Sequence, residues 1–96
     1  MRISITAKAK NDLLQIDEFL SIRNPQAAER FAQRFNACLR NLSEFPFIGR
    51  ERPSLAAGVR SLVCGVHVVL YVGASSEIVV LRVIDGRMDI DEEFQR

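Results

Sequence analysis

Asn24-Pro25-Gln26-Ala27-Ala28-Glu29-Arg30-Phe31 decides how this chain folds. Asn24 supplies a side-chain acceptor for a helix start, and Pro25 fits the first helical position, where its missing N–H costs nothing. One helix must end near Arg23 and another begin at Pro25. Downstream, Ala28, Phe31, Phe35, Cys38 and Leu42 recur at helical spacing, widened by Ala32 and Leu39, until Phe45-Pro46 stops the run. Upstream, Ala9, Leu13, Ile16 and Leu20 form a second stripe, with Lys8, Lys10, Asp12, Gln15 and Asp17 on the polar side. Thr6 is its expected N-cap. A turn this short makes the two helices an antiparallel hairpin.

On either side of the hairpin the period changes to two. Ile3 and Ile5 alternate with Arg2, Ser4 and Thr6, which predicts a short first strand. Val59 to Cys64, Val66 to Val72 and Ile78 to Ile84 read as three more strands, separated by Gly65 and by Gly73-Ala74-Ser75-Ser76. Between them and the helices, Phe47 to Pro53 is expected to be a structured loop, and Asp89 to Phe94 an acidic tail. The expected fold is α+β in the order β-α-α-β-β-β, a helical hairpin packed on a mainly antiparallel four-stranded sheet, because neither layer alone buries its apolar side. Residues 1–96 are read as a single domain.

With 48% hydrophobic and 26% charged residues, the composition is that of an ordinary globular protein rather than a disordered or fibrous one. No apolar run reaches the length of a membrane span and no secretory leader opens the chain, so a cytoplasmic protein without membrane contact is expected. A formal net charge of +1 argues against extensive direct grip on nucleic acid, which relies on many phosphate contacts. Two cysteines without a Cys-x-x-Cys pair and one histidine do not assemble a closed zinc site. Cys38 and Cys64 read as buried free thiols, and no metal or cofactor is expected.

Candidate site residues come from the strands. Arg60 with Leu62, His67 with Val69 and Tyr71, and Arg82 with Val80 and Ile84 are read as sharing a sheet face left open by the hairpin, with Arg50, Arg52 and Arg87 on neighbouring loops. Arginine stems pack on apolar groups while their guanidinium groups bind carboxylate or phosphate, so this face suits an amphipathic partner. Each arginine taken singly also fits a solvated or ion-paired role, with Glu77, Asp85 and Asp89 as available partners. For His67 a structural role outweighs a catalytic one, and Tyr71 reads as core. Phe19, Phe31, Phe35, Phe45 and Phe47 read as packing. No nucleophile motif or phosphate-binding glycine loop is present.

Several runs together resemble the ParE toxin family of the ParE/RelE superfamily. They are Ala9-x-x-Asp12-Leu13-x-x-Ile16, Asn24-Pro25-x-Ala27-Ala28-x-Arg30-Phe31, Leu42-x-x-Phe45-Pro46-x-x-Gly49-Arg50, Gly58-Val59-Arg60-Ser61, Val69-Leu70-Tyr71, and Ile78 to Asp89 with Asp85-Gly86-Arg87. The resemblance spans nearly the whole chain, although Asp85 stands where the family often has histidine. It implies the toxin of a type II toxin–antitoxin pair, neutralised by a cognate antitoxin whose C-terminal segment wraps it. ParE-like members act on DNA gyrase by binding, without catalysis by the toxin. RelE-like members are ribosome-dependent mRNA endoribonucleases, and on that branch Arg60, His67 and Arg87 would be catalytic. Phe94 where that branch favours tyrosine, the missing lysines near Arg60 and the low net charge point to the ParE branch. A third reading is a non-toxic antitoxin-binding module. Arg50, Arg60, Arg82 and Arg87 are the expected partner-binding residues.

Overall fold

The computed structural model describes residues 1–96. Strand β1 spans Arg2–Ile5, helix α1 Ala7–Arg23 and helix α2 Pro25–Glu44. Strands β2 to β5 follow as Arg50–Glu51, Val59–Cys64, His67–Gly73 and Glu77–Asp85, and helix α3 closes the chain at Ile90–Gln95. No helix is long and apolar enough to cross a membrane.

Local chemistry places the helix boundaries where the sequence puts them. Thr6 Oγ1 accepts the Ala9 N–H at 3.1 Å and donates to Leu81 O at 2.9 Å, so one hydroxyl caps α1 and ties it to β5. Asn24 serves both helices, donating its N–H to Leu20 O and accepting the Gln26 N–H on its side chain at 3.1 Å.

The sheet order is β1-β5-β4-β3-β2, with β1 parallel to β5 and every other pair antiparallel. The sheet therefore has five strands, not four. Arg50 and Glu51 pair with Ser61 and Arg60, forming a two-residue edge strand where a loop was expected. The acidic tail is likewise a helical turn, capped by the Asp89 side chain accepting the Glu92 N–H and carrying acids where a helix N-terminus favours them.

Gly65 and Val66 form the two-residue β3–β4 turn, so Val66 lies outside β4. Only Gly65 of the pair has positive φ, at 65°, the pattern of a type II′ turn.

Two apolar clusters sandwich the sheet. On the hairpin side, Ala9, Phe31, Phe35 and Leu42 meet Cys64, Val69, Tyr71, Ile78, Val80 and Val83. On the other side, Leu55, Val59, Val68, Leu70 and Ile84 lie beneath Ile90 and Phe94 of α3. The open face expected from the polar strand residues is thereby corrected. Arg60 and His67 alternate in phase with Leu62, Cys64, Val69 and Tyr71, so they lie on the hairpin side, at its two ends. Between Leu70 and Tyr71 the pairing slips from Arg82 to Val80, an irregularity that leaves Leu81 extra and turns Arg82 toward α1. Of the aromatic residues expected in packing, Phe31 and Phe35 are buried, while Phe19, Phe45 and Phe47 stand out in solvent.

A groove beside helix α1 and the β3–β4 turn

Helix α1 has a second set of apolar residues off its inner stripe. Leu13, Ile16 and Leu20 pack inward, whereas Phe19 and Ile22 lie outward, and Phe19 shares a concavity with His67 and Asp85 at the ends of β4 and β5. The β3–β4 turn projects beyond the sheet on the same side. Between them runs a groove of about 960 Å³, walled by α1 from Asp12 to Leu20 and by Val63 to Val68, and closed by Arg82 to Met88 and Glu93. Phe19, Val63, Val66 and Met88 line it and are each more than half exposed. Isolated exposed apolar side chains are ordinary, but here four gather around one concavity.

His67, Arg82 and Arg87 meet in this groove. The His67 ring sits edge-on to Phe31, centroids 5.0 Å apart, and its Nδ1 is buried without a hydrogen-bond partner. Burial lowers its pKa, Asp85 opposes that, and Arg34 and Arg87 add to it, so the ring is neutral near pH 7. Arg82 is committed inward: it donates to both Asp12 carboxylate oxygens, at 2.7 and 3.0 Å, and to Glu93 O at 2.7 Å. Arg87 is 85% exposed and forks onto Asp85 at 3.1 and 2.7 Å. Side-chain and backbone hydrogen bonds from Arg87 hold the Asp85 carboxyl far below the usual carboxylate range.

Arg60 and Arg50 are not part of the groove. Arg60 is paired in register with Tyr71, whereas His67 faces Cys64 and Asp85 at the far end of β4. Four residues along a strand is roughly 13 Å. Arg60 donates to Phe47 O at 3.2 Å, Gly49 O at 2.9 Å and Glu51 at 3.3 Å, pinning the segment after α2. Arg50 is exposed on the edge strand, and Arg52 Nε donates to the buried Ser61 hydroxyl at 3.0 Å. No three His, Cys, Asp or Glu side chains gather into a group that could hold a metal ion.

Sequence reasoning missed the apolar rim and Asp12. Phe19 falls one residue short of Leu20 and so off the inner stripe, and Val63 and Val66 flank a turn glycine; both signals were readable. Asp12 was counted as polar surface, yet it abuts Leu13 on the helix, the boundary position from which an acid reaches a strand arginine.

Residues 3–90 match the family described as ParE toxin of type II toxin-antitoxin system, parDE. The chain is 37% identical over 57 residues to Toxin ParE3 of Caulobacter vibrioides, a match covering 59% of this chain and 57% of that protein. It thus spans little more than half the length of that curated relative. Its fold superposes on a structure of the chromosomal ParDE TA system from P. aeruginosa with a TM-score of 0.72 and 26% sequence identity, covering 88% of this chain and 95% of the other. A match over nearly all of the sequence, a fold shared at that level and the α-hairpin-on-sheet architecture agree: the chain belongs to the ParE toxin family of type II toxin–antitoxin systems.

Proposed function

We propose that this protein acts as a binding toxin, inhibiting DNA gyrase without chemistry of its own, and that a cognate antitoxin segment silences it by occupying the groove between α1 and the β3–β4 turn. The observation that carries this reading is the separation of the polar residues. Cleaving a phosphodiester needs groups that move protons and stabilise phosphate charge around one atom. Here Arg60 lies at one end of the sheet, held by the chain after α2, while His67 and Arg87 lie at the other. His67 is packed against Phe31 with no acceptor to orient it. Such a set favours recognition over catalysis.

Phe19, Val63, Val66 and Met88 supply apolar anchors for an amphipathic helix or strand, and Arg87 supplies an exposed charge at the rim. Val66→Asp places a charge among those anchors on an exposed turn and leaves the core intact. In calorimetric titration with the cognate antitoxin, Val66→Asp and Phe19→Asp lose most of the affinity, and Arg50→Glu, outside the groove, retains it. Equal affinity for all three variants contradicts the assignment of the groove.

A further inference from the structure

Cys38 and Cys64 are the only cysteines, and the groove chemistry uses neither. Cys64 ends β3 and is buried at 2% exposure; Cys38 is half-buried on α2. Both pack in the hairpin-side cluster. Cys64 Sγ lies 3.6 Å from Arg34 O. In an α-helix that carbonyl accepts the N–H four residues on, which here is Cys38's. The Cys64 thiol therefore addresses the turn of α2 that carries Cys38, and both cysteines belong to the same hairpin-side packing. A cation adjoins them: the Arg34 guanidinium packs on Gly65, with Nη1 only 2.6 Å from where a Cβ would sit.

We propose that Cys38 and Cys64 form an oxidative modification site, a dithiol that a peroxide converts reversibly into an intramolecular disulfide stapling α2 to the β3–β4 turn. Cys38, the more accessible thiol, attacks one peroxide oxygen as its thiolate. An S–O bond forms, the O–O bond breaks, and the departing hydroxide leaves as water with the thiol proton. Cys64 sulfur then attacks Cys38 sulfur. The S–S bond forms, the S–OH bond breaks, and a second water leaves with the Cys64 proton. Each sulfur gives up one electron and the peroxide takes two. A thiol reductant restores the pair.

Burial and the neighbouring Cys38 push the Cys64 thiol up to about 12, and Arg34 opposes the rise. Cys64 is thus protonated at rest and reacts only after Cys38 has become electrophilic. The disulfide would fix Gly65-Val66, one wall of the groove, to α2.

The test treats the intact protein with hydrogen peroxide, quenches it, unfolds it, alkylates free thiols and weighs it. The expected product has lost two hydrogen atoms, takes up no alkylating agent, and reverts with dithiothreitol. Its melting temperature is raised by roughly 15 °C, as expected for closing a loop of this size. Cys38→Ser, at a half-buried position, and Cys64→Ala, which keeps an apolar group, each abolish the mass loss. Two alkylated thiols after peroxide, oxygen adducts without an S–S bond, or a linked dimer overturn the proposal. An intramolecular disulfide that leaves the melting temperature unchanged overturns the staple.

Discussion

Asp12 and Arg82, seventy residues apart, are joined by two hydrogen bonds of 2.7 and 3.0 Å while each side chain is only 12% exposed. The pair has two further partners, one on β5 and one on α3. Asp12 also accepts the Val83 N–H at 2.9 Å, and Arg82 also donates to Glu93 O at 2.7 Å. One ion pair thus fastens α1 to β5 and α3 to both. The Asp12 hydrogen bond raises the Arg82 pKa, so the guanidinium stays charged throughout. Arg82, expected at the outset as a partner-binding anchor, holds the groove's shape from inside.

Removing one member of so enclosed a pair strands the other. Asp12→Ala and Arg82→Ala are each expected to destabilise the protein by about 3 kcal/mol, and the double variant by less than the sum. Urea denaturation of the four proteins in the cycle measures this; additive losses contradict the coupling.

The hairpin and the central strands were legible because Asn24-Pro25 and the 3.6- and two-residue periods are local signals. The Asp12–Arg82 pair was not, since nothing within a dozen residues of either names its partner. Strand β2 was hidden because two charged residues show no period; only pairing with Arg60 and Ser61 makes them a strand. The groove was half legible. Its histidine and arginines stand out in the sequence, but a polar residue at a strand end reads locally as the mark of an open face. In the structure it marks where the hairpin's cover stops. Helix α3 had its signals in Asp89 and the i,i+4 pair Ile90 and Phe94, outweighed by its acids.

Tyr71 is fully buried and its hydroxyl accepts the Gly49 N–H at 2.8 Å, with burial raising its pKa against that bond. Tyr71→Phe leaves a buried N–H unpaired and should lower stability by about 1–3 kcal/mol. Gly49→Ala is expected to cost at least as much, since its Cβ would fall 2.6 Å from the hydroxyl. Equilibrium unfolding midpoints that match the parent protein contradict this account of the segment after α2.

His67 sets a pH dependence. Its folded pKa lies below the ordinary value of 6.5 because of burial, so below that pH the unfolded chain binds a proton that the folded protein refuses. Its stability contribution is complete above 6.5, declines as pH falls toward the lowered folded value, and levels off beneath it. Unfolding free energies measured from pH 7.5 to 5 should show this slope, and His67→Gln should flatten it. An unchanged slope in the variant rejects the assignment.

Arg87 differs from Arg82 in being exposed, its only side-chain partner being Asp85 two residues away. Arg87→Ala should leave the melting temperature unchanged and weaken antitoxin binding by roughly fivefold or more. Calorimetry paired with thermal melting separates the two effects. Unaltered affinity removes Arg87 from the interface.

Gyrase binding rather than RNA cutting is the mode of action proposed for this ParE-family protein. The direct measurement adds the purified protein to gyrase supercoiling reactions and to a reconstituted translation mix, and follows cleaved DNA complexes and mRNA integrity together. Trapped gyrase–DNA cleavage complexes with intact mRNA are predicted, with the trapping abolished by saturating antitoxin. Codon-phased mRNA cuts with undisturbed supercoiling would contradict the account.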